Sequence, residues 1–86
     1  ARMVVHEGLL RLREQDRKHG TEYVKTLECY LRHHQNAVQT SKELYIHRST
    51  FLYRLEKIKA VMDSSLEDPD EILYLMISLY LLEQRG

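Results

Sequence analysis

The chain of 86 residues contains no tryptophan, one proline, three glycines and one cysteine, and its formal net charge at pH 7 is zero. Each scarcity narrows the choices. A lone Cys29 excludes an internal disulfide, so stability must come from a packed core, as suits a reducing cytoplasm. Few Pro and Gly among many Leu, Glu, Lys, Arg and Gln disfavour turn-rich β architectures and favour an all-helical chain. The longest uncharged apolar run, Ile72 to Leu82, is eleven residues, or about 16 Å of helix against about 30 Å of bilayer hydrocarbon. No membrane partner is expected. There is no nucleophile–base set and no Gly-rich phosphate loop, so the chain does not read as an enzyme. The opening residues, Ala1-Arg2-Met3-Val4-Val5-His6, form neither a signal peptide nor an obvious natural beginning. Residues 1–86 therefore read as a single domain, expected to be a fragment of a longer protein.

The charges that are present are unevenly placed. Residues 42–60 carry five cations against two anions, whereas residues 61–86 carry six anions against Arg85 alone. Because salt screens charges beyond about 8 Å, the local excess decides whether phosphate is attracted.

Hydrophobic spacing predicts five helices and no strands. The first spans about Val4 to His19, with Val5, Leu9, Leu10 and Leu12 as apolar positions, Gly8 as an internal weakness, and Gly20 as the stop. The second follows Thr21 as N-cap and ends near His34, with Tyr23, Leu27, Tyr30 and Leu31 on one face. Asn36 caps a third, Ala37 to Leu44, whose inner face is Ala37, Ser41 and Leu44. The fourth, from His47 or Arg48 to Met62, buries Phe51, Leu55, Ile58 and Met62 at i, i+4, i+7 and i+11. A polar link from Asp63 to Glu67 leads to Asp68-Pro69-Asp70-Glu71, the pattern of a capped helix start with Asp68 and Glu71 as a capping pair. The last helix, Pro69 to Gln84, is apolar nearly all round and needs cover on more than one side. A second copy of the chain is the expected cover, through Ile72, Leu75, Met76, Leu79 and Tyr80.

Asn36 to Met62, a short helix, a three-residue turn and a longer helix, has the layout of a helix-turn-helix whose second helix enters the DNA major groove. With the apolar stripe inward, Ser49, Leu52, Tyr53 and Glu56 aim at base edges. Arg48, Thr50 and Lys57 flank them within reach of phosphate, as do Gln39, Thr40 and Lys42 from the preceding helix. Arg54 lies at the edge of the stripe, suited equally to an internal ion pair and to a phosphate. His33-His34 and His47 raise the question of metal. Adjacent histidines point to different faces, and no i, i+4 His/Glu pair or Cys cluster is evident, so neither metal nor cofactor is expected.

The run His47-Arg48-x-Thr50-x-x-Tyr53-Arg54-Leu55, with Thr26-Leu27, Tyr30-Leu31, Leu44, Ile46 and Ile58 around it, resembles the C-terminal helix-turn-helix of PucR-type bacterial transcription regulators, the group that includes sugar-diacid regulators. Leu66-Glu67-Asp68-Pro69 and the apolar Leu75-to-Leu82 helix match that family's closing element. The resemblance implies a five-helix, Fis-like domain that binds double-stranded DNA as the output of a cytoplasmic regulator, with an effector-sensing region upstream and often an activating role. It places His47, Arg48, Thr50, Tyr53 and Arg54 at matching motif positions. Ser49 departs from the usual Asn, and Leu52 and Glu56 stand where basic residues are common. The implied assembly is a homodimer on an operator of two half-sites. A helix-turn-helix used only to bind protein is the rival reading, and the outward Leu52 and Glu56 are what favour it.

Overall fold

The computed structural model describes residues 4–84. The first three residues and Arg85, counted above in the acidic segment, lie outside that range. Five helices run in order: α1 (Glu7–His19), α2 (Tyr23–Arg32), α3 (Ala37–Leu44), α4 (Arg48–Met62) and α5 (Pro69–Gln84). Among the described residues there is no strand.

The first helix begins at Glu7, three residues later than expected, because His6 is its N-cap. The His6 imidazole Nδ1 accepts from the Gly8 amide at 2.9 Å. Its other ring nitrogen lies 3.1 Å from Glu71 Oε2, and its backbone N–H donates to Ser78 Oγ at 2.9 Å. One residue thus starts α1 and fastens it to α5. Gly8 also has a role beyond local propensity: a Cβ there would lie 3.0 Å from the Met62 carbonyl and closer still to the His6 ring. Its bare backbone lets α1 approach the end of α4. Next to it, Arg11 donates to the Val61 and Met62 carbonyls at 3.1 and 2.8 Å, satisfying acceptors that every helix C-terminus leaves open.

The expected Thr21 cap is not observed. Asp16 on α1 performs that role for α2, accepting from the Tyr23 and Val24 amides at 2.8 and 2.9 Å while the Thr21 hydroxyl donates to the same carboxylate. An N-cap is worth about 0.5–2 kcal/mol, and this one also closes the α1–α2 turn. Asp16→Ala is therefore expected to lower stability by about 1–2 kcal/mol, read as a shift in the urea midpoint at unchanged slope. An unchanged midpoint would show that water replaces the carboxylate at no cost.

α2 ends at Arg32 rather than His34, because His34 and Gln35 turn the chain with φ of 55° and 63°. Gln35 Nε2 then donates to the Leu66 carbonyl at 2.7 Å. Leu66, assigned above to a polar link, is buried at 1% exposure with φ 58°. It joins Leu9, Leu12, Leu27, Phe51, Leu55, Ile58, Met62 and Leu75 in the core. Phe51 sits at its centre, fully buried, with its ring 5.4 Å from that of Tyr30. Leu10, expected on the apolar face of α1, is exposed.

The start of α5 is also corrected. Asp68 accepts from the Asp70 amide at 2.9 Å, but Glu71 does not complete a capping box; it takes His6 and the Ser64 hydroxyl instead. Leu75 and Leu79 face the domain's own core and Ile72 is half-buried against it. Of the five residues expected to meet a second copy, only Met76 and Tyr80 point outward, joined there by Leu73, Tyr74 and Ile77. A helix apolar on all sides has two faces to cover, and the domain covers one. No helix among the described residues is long and apolar enough to cross a membrane.

Candidate nucleic-acid interface

α3 and α4 meet at a turn of Tyr45, Ile46 and His47, with Tyr45 in the left-handed region at φ 56° and almost fully exposed. The Tyr45 and Ile46 amides close α3 by donating to the Lys42 and Ser41 carbonyls. At the other end of α3, Asn36 accepts from the Gln39 amide at 3.0 Å, as its residue type predicts. α4 opens on His47, whose Nδ1 accepts from the Ser49 amide at 3.2 Å and lies 2.9 Å from Ser49 Oγ. With Nδ1 acting as acceptor the ring hydrogen sits on Nε2, leaving a donor at the mouth of the helix.

The fourfold inward stripe of Phe51, Leu55, Ile58 and Met62 is buried, which fixes the rotation of α4. His47, Arg48, Ser49, Thr50, Leu52, Tyr53, Glu56 and Lys57 consequently stand on the exposed side, as the helical spacing requires. Gln39 and Lys42 on α3 are exposed too. Thr40 is not: it is fully buried, and its hydroxyl donates to the Asn36 carbonyl at 2.7 Å. It braces α3 and cannot reach a phosphate. The spacing Ala37, Ser41, Leu44 hid this, because Thr40 shares that face one position away, where a small hydroxyl returned to its own helix can be buried.

For Arg54 the internal partner is a hydroxyl and not a carboxylate. Its guanidinium donates to Thr26 Oγ1 at 3.4 Å, and that hydroxyl in turn donates to the Glu22 carbonyl at 2.8 Å. No carboxylate pairs with it among the described residues. Arg54 therefore bridges α4 to α2 through one donor and keeps the others of its fork for an outside acceptor. Thr50, Tyr53 and Arg54 line a shared groove with the α1–α2 turn, Gly20 to Tyr23.

Ion pairs occupy four of the six cations of α1 and α2, leaving Arg13 and Lys18 unpaired among the described residues. On α1 and α2, Arg11, Arg17, Lys25 and Arg32 pair with Glu7, Glu14, Glu22 and Glu28 or Glu43. Among the described residues Lys42, Arg48, Arg54 and Lys57 have no carboxylate partner. Lys57 instead lies over the Tyr53 ring at 5.4 Å. Glu56, the acid that would repel phosphate, is engaged by Lys59 at 3.4 Å. Neither α3 nor α4 carries an acidic residue in its first turn, and neither does α2, whose N-terminus Asp16 caps instead, whereas α1 has Glu7 and α5 has Asp70 and Glu71. The positive ends of both helix dipoles are thus left open to anions.

A second polar cluster joins the C-terminal end of α2 to the last turn of α3. Glu43 takes His33 Nε2 at 2.8 Å, the Cys29 thiol at 3.2 Å and the Arg32 guanidinium. The hydrogen bond from His33, with those from Cys29 and Arg32, holds the Glu43 carboxyl down to about 2. Folding depresses this pKa, so its stabilising effect is full above the ordinary carboxylate value and is lost progressively as pH falls from there through about 2. Burial, and then the adjacent carboxylate, push the Cys29 thiol up. Cys29 and His33 stand one turn apart at i, i+4, as do Glu43 and His47, so the expectation that the sequence holds no such pair is corrected on both counts. The signal was in the sequence, but Glu43 comes from another helix.

A family model for the PucR C-terminal helix-turn-helix domain matches residues 23–81. The chain is 43% identical over 54 residues to the purine catabolism regulatory protein of Bacillus subtilis, covering 63% of this chain and 10% of that protein. It is 39% identical over 61 residues to the carbohydrate diacid regulator of Escherichia coli, covering 71% of this chain and 16% of the relative. With the proline-responsive transcriptional activator PutR of B. subtilis the identity is 29% over 80 residues, 93% of this chain and 20% of the other. The chain thus spans a fifth or less of the length of these relatives. No solved structure matches it.

Proposed function

The chain belongs to the PucR C-terminal helix-turn-helix family, and from that premise we propose that it is the sequence-specific DNA-binding output domain of a cytoplasmic transcription regulator, joined to an upstream effector-sensing region. The observation that carries the reading is the exposed α3–α4 face, with acid-free helix N-termini and four cations lacking carboxylate partners. α4 lies in the major groove, with Ser49, Leu52, Tyr53 and Glu56 toward base edges. His47, Arg48, Thr50, Arg54, Lys57, Gln39 and Lys42 hold the sugar–phosphate backbone. Leu52 and Tyr53 suit thymine methyl groups, and Glu56 suits a cytosine amino group. The regulatory names of the relatives support an activator of a catabolic operon.

Selection from a random-sequence DNA pool tests the reading. An enriched motif should emerge, and its affinity should fall log-linearly with salt, with a slope of about −3 to −4 per domain if four cations each neutralise a phosphate. No enrichment, with binding indifferent to salt, would leave the protein-interaction alternative.

The uncovered side of α5 supports pairing of two copies through Met76, Tyr80, Leu73 and Ile77, placing two recognition helices on half-sites about 34 Å apart. The burial pattern separates splitting the pair from unfolding it. Met76→Glu, on the exposed side, is expected to give a folded monomer in sedimentation at micromolar concentration. A charge at Leu79, which is 8% exposed, is expected to unfold the domain. A native chain that sediments as a monomer across that range would defeat the pairing.

A further inference from the structure

We propose that Cys29, His33 and Glu43 form a binding site for a thiophilic divalent cation of the zinc class, stapling α2 to the last turn of α3. One ligand atom from each of the three lies within 4.8 Å of the others. The geometry is close to what such an ion needs. Bonds of about 2.0–2.3 Å at a tetrahedral centre set donors roughly 3.3–3.7 Å apart. The Glu43 carboxylate already reaches both partners, Oε2 at 3.2 Å from the thiol and Oε1 at 2.8 Å from the imidazole, so binding has only to select one oxygen and draw donors that lie within 4.8 Å of one another to that spacing. Cys29 lies in the last turns of α2 and His33 is the residue that closes that helix, while Glu43 is presented by the next. Three protein donors leave a fourth position for water.

Charge favours the same occupant. A thiolate and a carboxylate neutralise a divalent ion, and the donor set of sulfur, imidazole and carboxylate suits zinc or cobalt rather than magnesium or calcium. Binding displaces the thiol proton to solvent and releases Arg32 from Glu43. Arg32 has another carboxylate at hand, since its guanidinium lies 3.9 Å from Glu28 Oε1 on the preceding turn. The cluster is partly open, with the His33 and Glu43 side chains 29% and 44% exposed, so an ion has a way in. Glu43 stands in the last turn of α3, just before the turn into α4, and an ion there would stiffen the α2–α3 pair that holds the recognition helix.

Cobalt(II) added to the whole chain tests this cleanly, because Cys29 is the single cysteine. The expected result is a near-ultraviolet thiolate-to-cobalt absorption that saturates at one equivalent, disappears on addition of zinc and is absent in Cys29→Ser. Glu43→Gln and His33→Gln change partly exposed side chains and should remain folded by circular dichroism, yet bind cobalt at least about tenfold more weakly. Absence of the absorption in the native chain overturns the proposal and leaves the cluster as an ionic staple. So does an absorption of full strength and affinity in both the Glu43→Gln and His33→Gln variants.

Discussion

Phe51→Ala is expected to lower the thermal midpoint of the domain by roughly 12–40 °C. The Phe51 side chain is fully buried at the centre of the core, facing Tyr30 across α2. Truncating a buried Phe to Ala costs about 3–5 kcal/mol, through lost transfer energy and the cavity left behind. A chain of 86 residues has roughly 4–13 kcal/mol in total at the usual per-residue stability. The substitution removes a third of that at the upper limit and all of it at the lower. Thermal unfolding followed by circular dichroism reads the effect directly. A variant within about 1 kcal/mol of the native chain would mean that the core collapses around the gap. DNA binding should be lost in parallel, since α4 owes its rotation to this residue and its three companions.

The double variant Arg48→Ala, Arg54→Ala is expected to show the opposite separation: a preserved fold with DNA affinity reduced by about two orders of magnitude. Arg48 is exposed and forms no ion pair among the described residues, so its loss removes nothing from the core. Arg54 contributes one long hydrogen bond to Thr26, at 3.4 Å, whose loss is worth at most about 1 kcal/mol. Each contact to DNA is worth about 1–3 kcal/mol, and 1.4 kcal/mol is tenfold in affinity. If both residues bind phosphate, the log–log salt slope should also shrink by about two. Unchanged affinity and slope in a folded double variant would rule out this face as the DNA-binding surface. A loss of affinity confined to one DNA sequence would reassign one arginine from phosphate to a base edge.

Much of this was legible in the chain because helical periodicity is a local property. The stripe Phe51, Leu55, Ile58, Met62 determined the rotation of α4 and therefore its outward residues, and Asn36 marked the start of α3 through a cap that acts within four residues. Several of the misreadings share one cause: a partner on another element of the fold. Asp16 caps α2 from the preceding helix, and Glu71 turns to His6, 65 residues away, instead of its own cap. Arg54 finds Thr26, 28 residues upstream. Leu66 enters the core from a segment whose neighbours are polar.

The sequence by itself determined five helices, their approximate ends, the helix-turn-helix and the family to which it belongs, because each rests on residue type and spacing within a few turns. Only the tertiary structure decided which polar groups face one another. It put Thr40 inside and left four cations of α3 and α4 without carboxylate partners. It divided α5 between the core and the surface, and it brought Glu43 to Cys29 and His33. The reason is physical. Apolar burial follows from a helix's own pattern, whereas hydrogen bonds and ion pairs depend on distances of a few ångströms between helices, which packing alone sets.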